Sequence, residues 1–181
     1  ATEGAFIQER NVHDIIVSEL MIDVYGDDTG KEWFEVFNAT DEPINLNFWT
    51  ICDNGDDEHE IFHPDGVIVP ARGYLVLGNS TDPVINAGAP IDYAYGDDIT
   101  LGNSNDELVL RQFDKVIYSI GWGEYDVEPW DIQYDLGRGP SEGRAVGMAE
   151  NYFDGPSDLW VDQVSRYGTE GNTGTPGAHN D

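Results

Sequence analysis

Short apolar runs separated by Gly, Pro, Asn and Asp make up most of this chain. The runs whose length and content of β-branched and aromatic residues are typical of strands are 15–21, 32–38, 44–53, 73–79, 107–113 and 115–122. No segment of about 12 residues carries the apolar stripe of an amphipathic helix. Many short strands with turn residues between them predict an all-β fold, an antiparallel sandwich or barrel.

Alternation inside two of these runs predicts which side chains face inward. In 115–122, the residues expected to share one face are Val116, Tyr118, Ile120 and Trp122. In 44–53 the alternating apolar positions change phase between Phe48 and Trp49, and such a change predicts a β-bulge.

The stretch HEIFH, 59–63, matches H-E-x-x-H, in which two His bind zinc and the Glu acts as general base. That chemistry requires a helix, where residues four apart lie on one face about 6 Å apart along the axis. On a strand the same two His lie about 13 Å apart, too far to share one ion. Pro64 disfavours helix at His63, and PDG at 64–66 is typical of a turn. We therefore expect an extended segment without zinc, and a metal-dependent hydrolase has no other motif to support it.

The chain length is typical of one domain with one core. Residues 1–13 are interpreted as an N-terminal extension and 14–181 as the domain. Residues 124–143, EYDVEPWDIQYDLGRGPSEG, interrupt the strand pattern and are interpreted as an ordered insertion. Residues 168–181 are small and polar, and we expect them to lie extended on the surface.

Several motifs, in a fixed order, resemble a known family. They are IIVSELM, EWFEVFNATDEPINLNFWTICD, FHPDGVIVPARGYLVLGNS, ITLGNSNDELVLRQFDKVIYSIGWG and the closing GTPGAHN. Together they resemble the lamin tail domain, the sandwich that ends nuclear lamins and also occurs in bacterial secreted and surface proteins. The resemblance covers roughly 14–123 and, more loosely, the final third of the chain. It implies an immunoglobulin-like antiparallel β-sandwich and places HEIFH on a strand and a turn.

This fold implies an inside and an outside for each strand. The side chains expected on the two inner faces are Trp33, Val36, Phe37, Trp49, Leu75, Leu77, Leu108, Leu110 and Ile120. Trp160 is expected to cover one end of the core.

Charge narrows the range of partners. The chain has 36 acidic and 8 basic residues, a formal net charge of −28. Such a surface repels phosphate backbones and anionic lipids, so neither nucleic acid nor a membrane is an expected partner. The basic patches of nuclear family members are absent, and their chromatin role is not expected. Cations are the ligands that this acidic surface attracts.

The chain has one cysteine, Cys52, so no internal disulfide is possible.

Acidic loops are the polar feature that stands out. The stretch DNGDDE, 53–58, places Asp53, Asp56 and Asp57 beside a Gly turn, and calcium prefers several oxygen ligands from such loops. The spacing is not that of an EF-hand. These three residues are the candidate calcium ligands, and calcium is the one cofactor considered. The alternative is a solvated acidic surface that holds no specific ion.

Three functional hypotheses remain, from different classes. The first is a non-catalytic module for protein interaction or adhesion in an exported or surface protein, with an unidentified protein or surface ligand as partner. Its extracellular or cell-surface location is inferred from acidity and family context. The second is a calcium-dependent binding module, and the third is the hydrolase.

Overall fold

The structure is a computed structural model that describes residues 8–137, 139–149, 152 and 155–181. Residues 1–7 of the expected N-terminal extension and Arg138 of the expected insertion lie outside this description. The strands are β1 (Ile15–Met21), β2 (Trp33–Asn38), β3 (Ile44–Asn45), β4 (Trp49–Cys52), β5 (Glu58–Glu60), β6 (Ile68–Val69), β7 (Tyr74–Gly78), β8 (Tyr93–Ala94), β9 (Asp106–Gln112), β10 (Lys115–Trp122), β11 (Tyr134–Asp135), β12 (Val146–Met148) and β13 (Trp160–Asp162). No helix among the described residues is long and apolar enough to cross a membrane.

Two sheets face each other. One has the strand order β13-β12-β1-β2-β7-β8 and the other β11-β10-β9-β4-β5, while β3 and β6 form a separate ribbon. Neighbouring strands are antiparallel except for the edge pairs β7–β8 and β10–β11. The architecture confirms the predicted all-β fold, an immunoglobulin-like antiparallel β-sandwich.

The core lies between the inner faces of the two sheets. On the six-stranded sheet, cross-strand pairing aligns Leu20, Phe34 and Leu77 in one row of inward side chains. On the five-stranded sheet the equivalent row includes Ile51 and Leu110. All five are buried in one continuous cluster, as are the other predicted core residues Val36, Trp49, Leu75, Leu108, Ile120 and Trp160.

Trp33 corrects the predicted inner faces. Trp33 and Phe37 both alternate with Val36 along β2, so they point to the opposite side of the six-stranded sheet, although Phe37 is still part of the main buried cluster. There Trp33 packs in a second cluster with Met21 and Ala145. The alternation of apolar residues could not distinguish the two faces of these strands. Because β1 and β2 are buried on both faces, apolar residues occupy both sets of alternating positions.

The predicted strand 44–53 is two strands that belong to different sheets. The chain leaves the ribbon after β3 and enters the five-stranded sheet at β4, with Phe48 between them at φ 68°. A change of sheet, and not a bulge, therefore explains the change of phase. Real register shifts occur within β1, between Val17 and Glu19, and within β10, between Val116 and Tyr118.

The shift within β10 also corrects the face predicted for 115–122. Tyr118, Ile120 and Trp122 are fully buried, whereas Val116 is separated from them by the register shift and is only partly buried.

Residues 124–136 cover the outer face of the five-stranded sheet. Tyr125 packs against Gly121, where a Cβ atom would lie 2.5 Å from the Tyr125 ring. The Trp130 ring lies 4.3 Å from the guanidinium carbon of Arg111, a cation–π contact. Asn54 fastens the segment, since it donates to the Trp130 carbonyl at 3.1 Å and accepts from the Trp130 amide at 3.1 Å.

Residues 172–181, which we term the C-terminal clasp, cover the outer face of the six-stranded sheet. Asn172 and Asn180 are buried, and Asn180 Nδ2 donates to the carbonyls of Ser18 at 2.8 Å and Met148 at 2.9 Å. The tail lies on the outside of the sandwich, as expected, but the sequence did not predict that Asn172 and Asn180 are buried. Polar residues suit this buried position because they satisfy buried polar groups of the sheet.

Candidate interaction surface

With parts of both outer faces covered, the loops at the two ends of the sandwich remain accessible. One end carries exposed phenylalanines, Phe48, Phe62 and Phe113, with 43%, 51% and 51% of their surface accessible. We term these residues the aromatic end. Exposed aromatic side chains clustered at one place are typical of an interaction site.

Strand pairing brings these three phenylalanines together. Phe48 precedes β4, Phe62 follows β5 and Phe113 follows β9. Because β4 is antiparallel to both β5 and β9, the start of β4 lies between the ends of those strands. The order across the sheet is thus Phe62, Phe48, Phe113, and the rings of Phe62 and Phe48 are 5.4 Å apart.

Two of the three adopt a backbone conformation that large side chains avoid. Phe48 has φ 68° and Phe113 has φ 56°, the left-handed region in which Gly, Asn and Asp are common. Phe113 lies in the two-residue turn between β9 and β10, where Asn-Gly is a frequent choice. Half-exposed rings gain little from core packing, so folding alone does not explain the strain. Strain of this kind is concentrated at functional sites.

A groove of about 390 Å³ begins beside Phe62. Its walls include Ile68, Leu75 and Tyr93, and so come from β6, β7 and β8. The Phe62 amide donates to the Tyr93 hydroxyl at 3.1 Å, which joins the groove to the aromatic end. The combined surface offers apolar side chains above a partly polar floor.

His59 connects the edges of the two sheets. Its Nδ1 lies 2.7 Å from Asp98 Oδ2 and its Nε2 lies 2.8 Å from the Tyr93 hydroxyl, so β5 is held to β8. His63 lies beyond the end of β5, where its Nδ1 accepts from the Asp65 amide at 3.2 Å. HEIFH is extended, as expected, and lacks the helix that the zinc motif requires.

The acidic loops lie at the opposite end of the sandwich. Asp53 Oδ1 accepts from the amides of Gly55 at 2.7 Å and Asp57 at 3.1 Å, and Asp57 Oδ2 accepts from the Thr100 amide at 2.7 Å. Asp56 lies in the same hollow of about 420 Å³. Burial raises the pKa of Asp53, and the neighbouring Asp57 raises it further.

These contacts show what the predicted calcium ligands do in the fold. Two of the three already accept backbone hydrogen bonds, Asp53 from its own loop and Asp57 from Thr100 of another loop. Within the described ranges, no three His, Cys, Asp or Glu side chains are placed to hold a metal ion together. Calcium at Asp53, Asp56 and Asp57 stays a prediction.

Sequence reasoning missed the aromatic end. Phe48 was noted only as the position where the apolar alternation changes phase, and Phe113 stood at the end of a predicted strand. The signal that could have revealed it is the hairpin Gln112-Phe113-Asp114-Lys115, in which a bulky aromatic residue occupies a turn position.

Comparison with known families places most of this structure in one family. The sequence profile of the Lamin Tail Domain matches residues 8–124. The match contains β1–β10 and all three phenylalanines of the aromatic end. No curated protein matches the chain.

Proposed function

Because the chain belongs to the lamin tail domain family, an immunoglobulin-like and non-enzymatic type of module, we propose that it binds another protein through its aromatic end. The observation that carries this proposal is the row of half-exposed phenylalanines, two of them held in strained backbone conformations. Aromatic anchors contribute most of the binding energy at many interfaces. The adjacent groove gives room for side chains of the partner.

Charge indicates what kind of partner fits. The chain as a whole carries −28, and a strongly acidic partner would be repelled on approach. The proposed partner therefore presents an apolar segment in neutral or basic surroundings. A patch of this size supports transient binding more readily than a permanent complex.

Replacing the three rings tests this proposal. In the variant Phe48→Asn/Phe62→Ser/Phe113→Asn, asparagine tolerates the positive φ, so we expect the fold to be retained. Peptides selected from a random display library for binding to the wild-type chain should share an apolar or aromatic anchor. They should bind the triple variant at least about tenfold more weakly, since each tenfold loss corresponds to about 1.4 kcal/mol.

The matched control removes exposed apolar groups elsewhere. Val84 and Val127 are 88% and 60% exposed and lie outside the aromatic end, so Val84→Ser/Val127→Ser should bind the selected peptides like the wild type. Equal binding of the peptides to the triple variant and the wild type would refute the proposed site. Circular dichroism of all three proteins separates loss of binding from loss of fold.

We also propose an extracellular or cell-surface location. The acidic composition supports it. Immunoblots of surface and cytosolic fractions from the source cells should show most of the protein in the surface or secreted fraction. A protein found only in the cytosolic fraction would contradict this.

A further inference from the structure

Two carboxyl groups are buried side by side on the outer face of the six-stranded sheet. Glu19 of β1 and Glu35 of β2 are cross-strand partners, and both are 0% exposed. Within the described part of the chain, no Lys, Arg or His lies within ion-pair distance of either carboxyl. A charge at either position therefore has neither water nor a cation to stabilise it.

The C-terminal clasp covers this pair and hydrogen-bonds to it. The Thr175 amide donates to Glu19 Oε1 at 2.8 Å, and Thr175 Oγ1 lies 2.8 Å from Glu19 Oε2. The Gly177 amide donates to Glu35 Oε2 at 2.6 Å. The pairs are 156 and 142 residues apart in sequence, so these bonds hold the end of the chain to the first two strands.

The geometry accommodates a proton on each carboxyl. Glu35 Oε1 lies 2.6 Å from Ser18 Oγ, which also reaches the Glu35 carbonyl oxygen at 3.4 Å. A protonated Oε1 can donate to this hydroxyl while the hydroxyl donates onward. Thr175 Oγ1 can relay in the same way, since it lies 2.8 Å from Glu19 Oε2 and 3.2 Å from Asn180 Oδ1.

The pKa values of both carboxyl groups are raised, so both groups stay protonated at a higher pH than an exposed Glu does. Burial raises the pKa of Glu35 to about 9 and that of Glu19 to about 7. Negative charge on Glu19 contributes to the raised pKa of Glu35, and negative charge on Asp181 contributes to that of Glu19. Other titratable or charged residues around the pair and the clasp include Tyr74, Tyr152, Tyr167, His179, Asp181, and Arg144 and Arg166, whose backbones bridge to Thr173.

We propose that Glu19 and Glu35 form a pH-sensitive lock for the C-terminal clasp. The clasp is closed while at least one of the two carboxyls is protonated, and it opens when both are ionised. Two adjacent negative charges in a site without water repel each other strongly, and opening the clasp admits water to both. Opening also exposes apolar surface near Trp33 that the closed protein hides. This inference is independent of the aromatic end.

The sign of the pH effect follows from the protons bound in each state. In the unfolded chain both glutamates ionise near their ordinary pKa of 4.5, whereas in the folded chain they hold protons up to about 7 and about 9. The folded form binds more protons in this interval. Stability from this pair is therefore greatest below about pH 4.5, falls as pH rises, and levels off above about pH 9.

Hydrogen exchange of the Thr175 and Gly177 amides tests the lock directly. In the wild type, the protection factor, corrected for the intrinsic exchange rate, should fall at least about tenfold between about pH 6 and about pH 10. A difference of one unit in the pKa of a carboxyl between the closed and the open clasp changes the opening equilibrium about tenfold. Work at about 1 M NaCl screens surface charges, because the Debye length is then about 3 Å. In the variant Glu19→Gln/Glu35→Gln, the glutamine side chains keep the shape and the hydrogen bonds of the glutamates but cannot ionise. Protection of the Thr175 and Gly177 amides should therefore change less than about twofold.

A matched control uses another buried glutamate. Burial raises the pKa of Glu32 to about 7, and this carboxyl accepts from the Leu101 amide at 3.0 Å, away from the clasp. Glu32→Gln should leave the pH dependence of clasp exchange unchanged. Equal loss of protection in the wild type and the double variant would overturn the proposal, as would constant protection in the wild type.

Infrared spectroscopy gives a readout that does not depend on the folding of any variant. The wild type should show a protonated-carboxyl band at about pH 7 that disappears above about pH 9. Absence of this band at about pH 7 would also overturn the lock.

Discussion

Replacing Trp49 with alanine should lower the free energy of unfolding by about 3–5 kcal/mol, the usual cost of emptying a large core position. Trp49 is 1% exposed, begins β4 and packs in the main cluster between the two sheets. Its Nε1 is buried without a hydrogen-bond partner among the described residues, so the loss comes from packing and not from a broken polar contact. Urea unfolding at equilibrium measures the difference.

Val84→Ala is the control for this substitution. Val84 is 88% exposed, and its truncation should change the free energy of unfolding by less than about 0.5 kcal/mol. A loss below about 1 kcal/mol for Trp49→Ala would mean that the ring does not fill the centre of the sandwich.

Replacing Asn38 with alanine should cost about 2–4 kcal/mol, because the backbone groups that this buried side chain joins lose its hydrogen bonds. Asn38 is fully buried at the end of β2. Its Nδ2 donates to the carbonyls of Glu42 at 2.7 Å and Val69 at 3.2 Å, and its Oδ1 accepts from the Thr40 amide at 2.9 Å. These bonds hold the loop after β2 to β6.

The variant Thr40→Val tests whether the loss of stability comes from the hydrogen bonds of Asn38 or from any change in the loop after β2. It removes only the Thr40 hydroxyl, which lies 2.8 Å from Asn38 Oδ1, and keeps the shape of the side chain. The same hydroxyl lies 3.0 Å from the Glu42 carbonyl, and because its single proton is donated to one acceptor at a time we expect a loss of at most about 1.5 kcal/mol. If Asn38→Ala cost no more than Thr40→Val, the two carbonyls would not depend on Asn38.

Burial makes the folded protein less charged than its composition implies. The formal net charge of −28 counts every Glu as ionised. Burial raises the pKa of Glu19 and Glu32 to about 7 and that of Glu35 to about 9, so these groups carry only part of their formal charge at neutral pH. The acidic loop that carries Asp53, Asp56 and Asp57 lies at the end opposite the phenylalanines, so this cluster of carboxylates does not border the aromatic end.

The sequence alone determined the local structure and the class of fold. Alternation and β-branched content predicted strands at β1, β2, β7, β9 and β10, because these signals depend on residues close in the chain. The motif order indicated the family, and Pro64 after HEIFH was enough to predict an extended segment.

The tertiary structure alone decided which faces are covered and what remains accessible. Whether Trp33 points into the sandwich depends on a second cluster behind the sheet, and the exposure of Phe48 depends on a change of sheet. The burial of Glu35 depends on the C-terminal clasp, whose Gly177 amide donates to this carboxyl from 142 residues away in the sequence. Contacts of this kind leave no periodic mark in the sequence, because each joins segments whose spacing along the chain is unrelated to their distance in space.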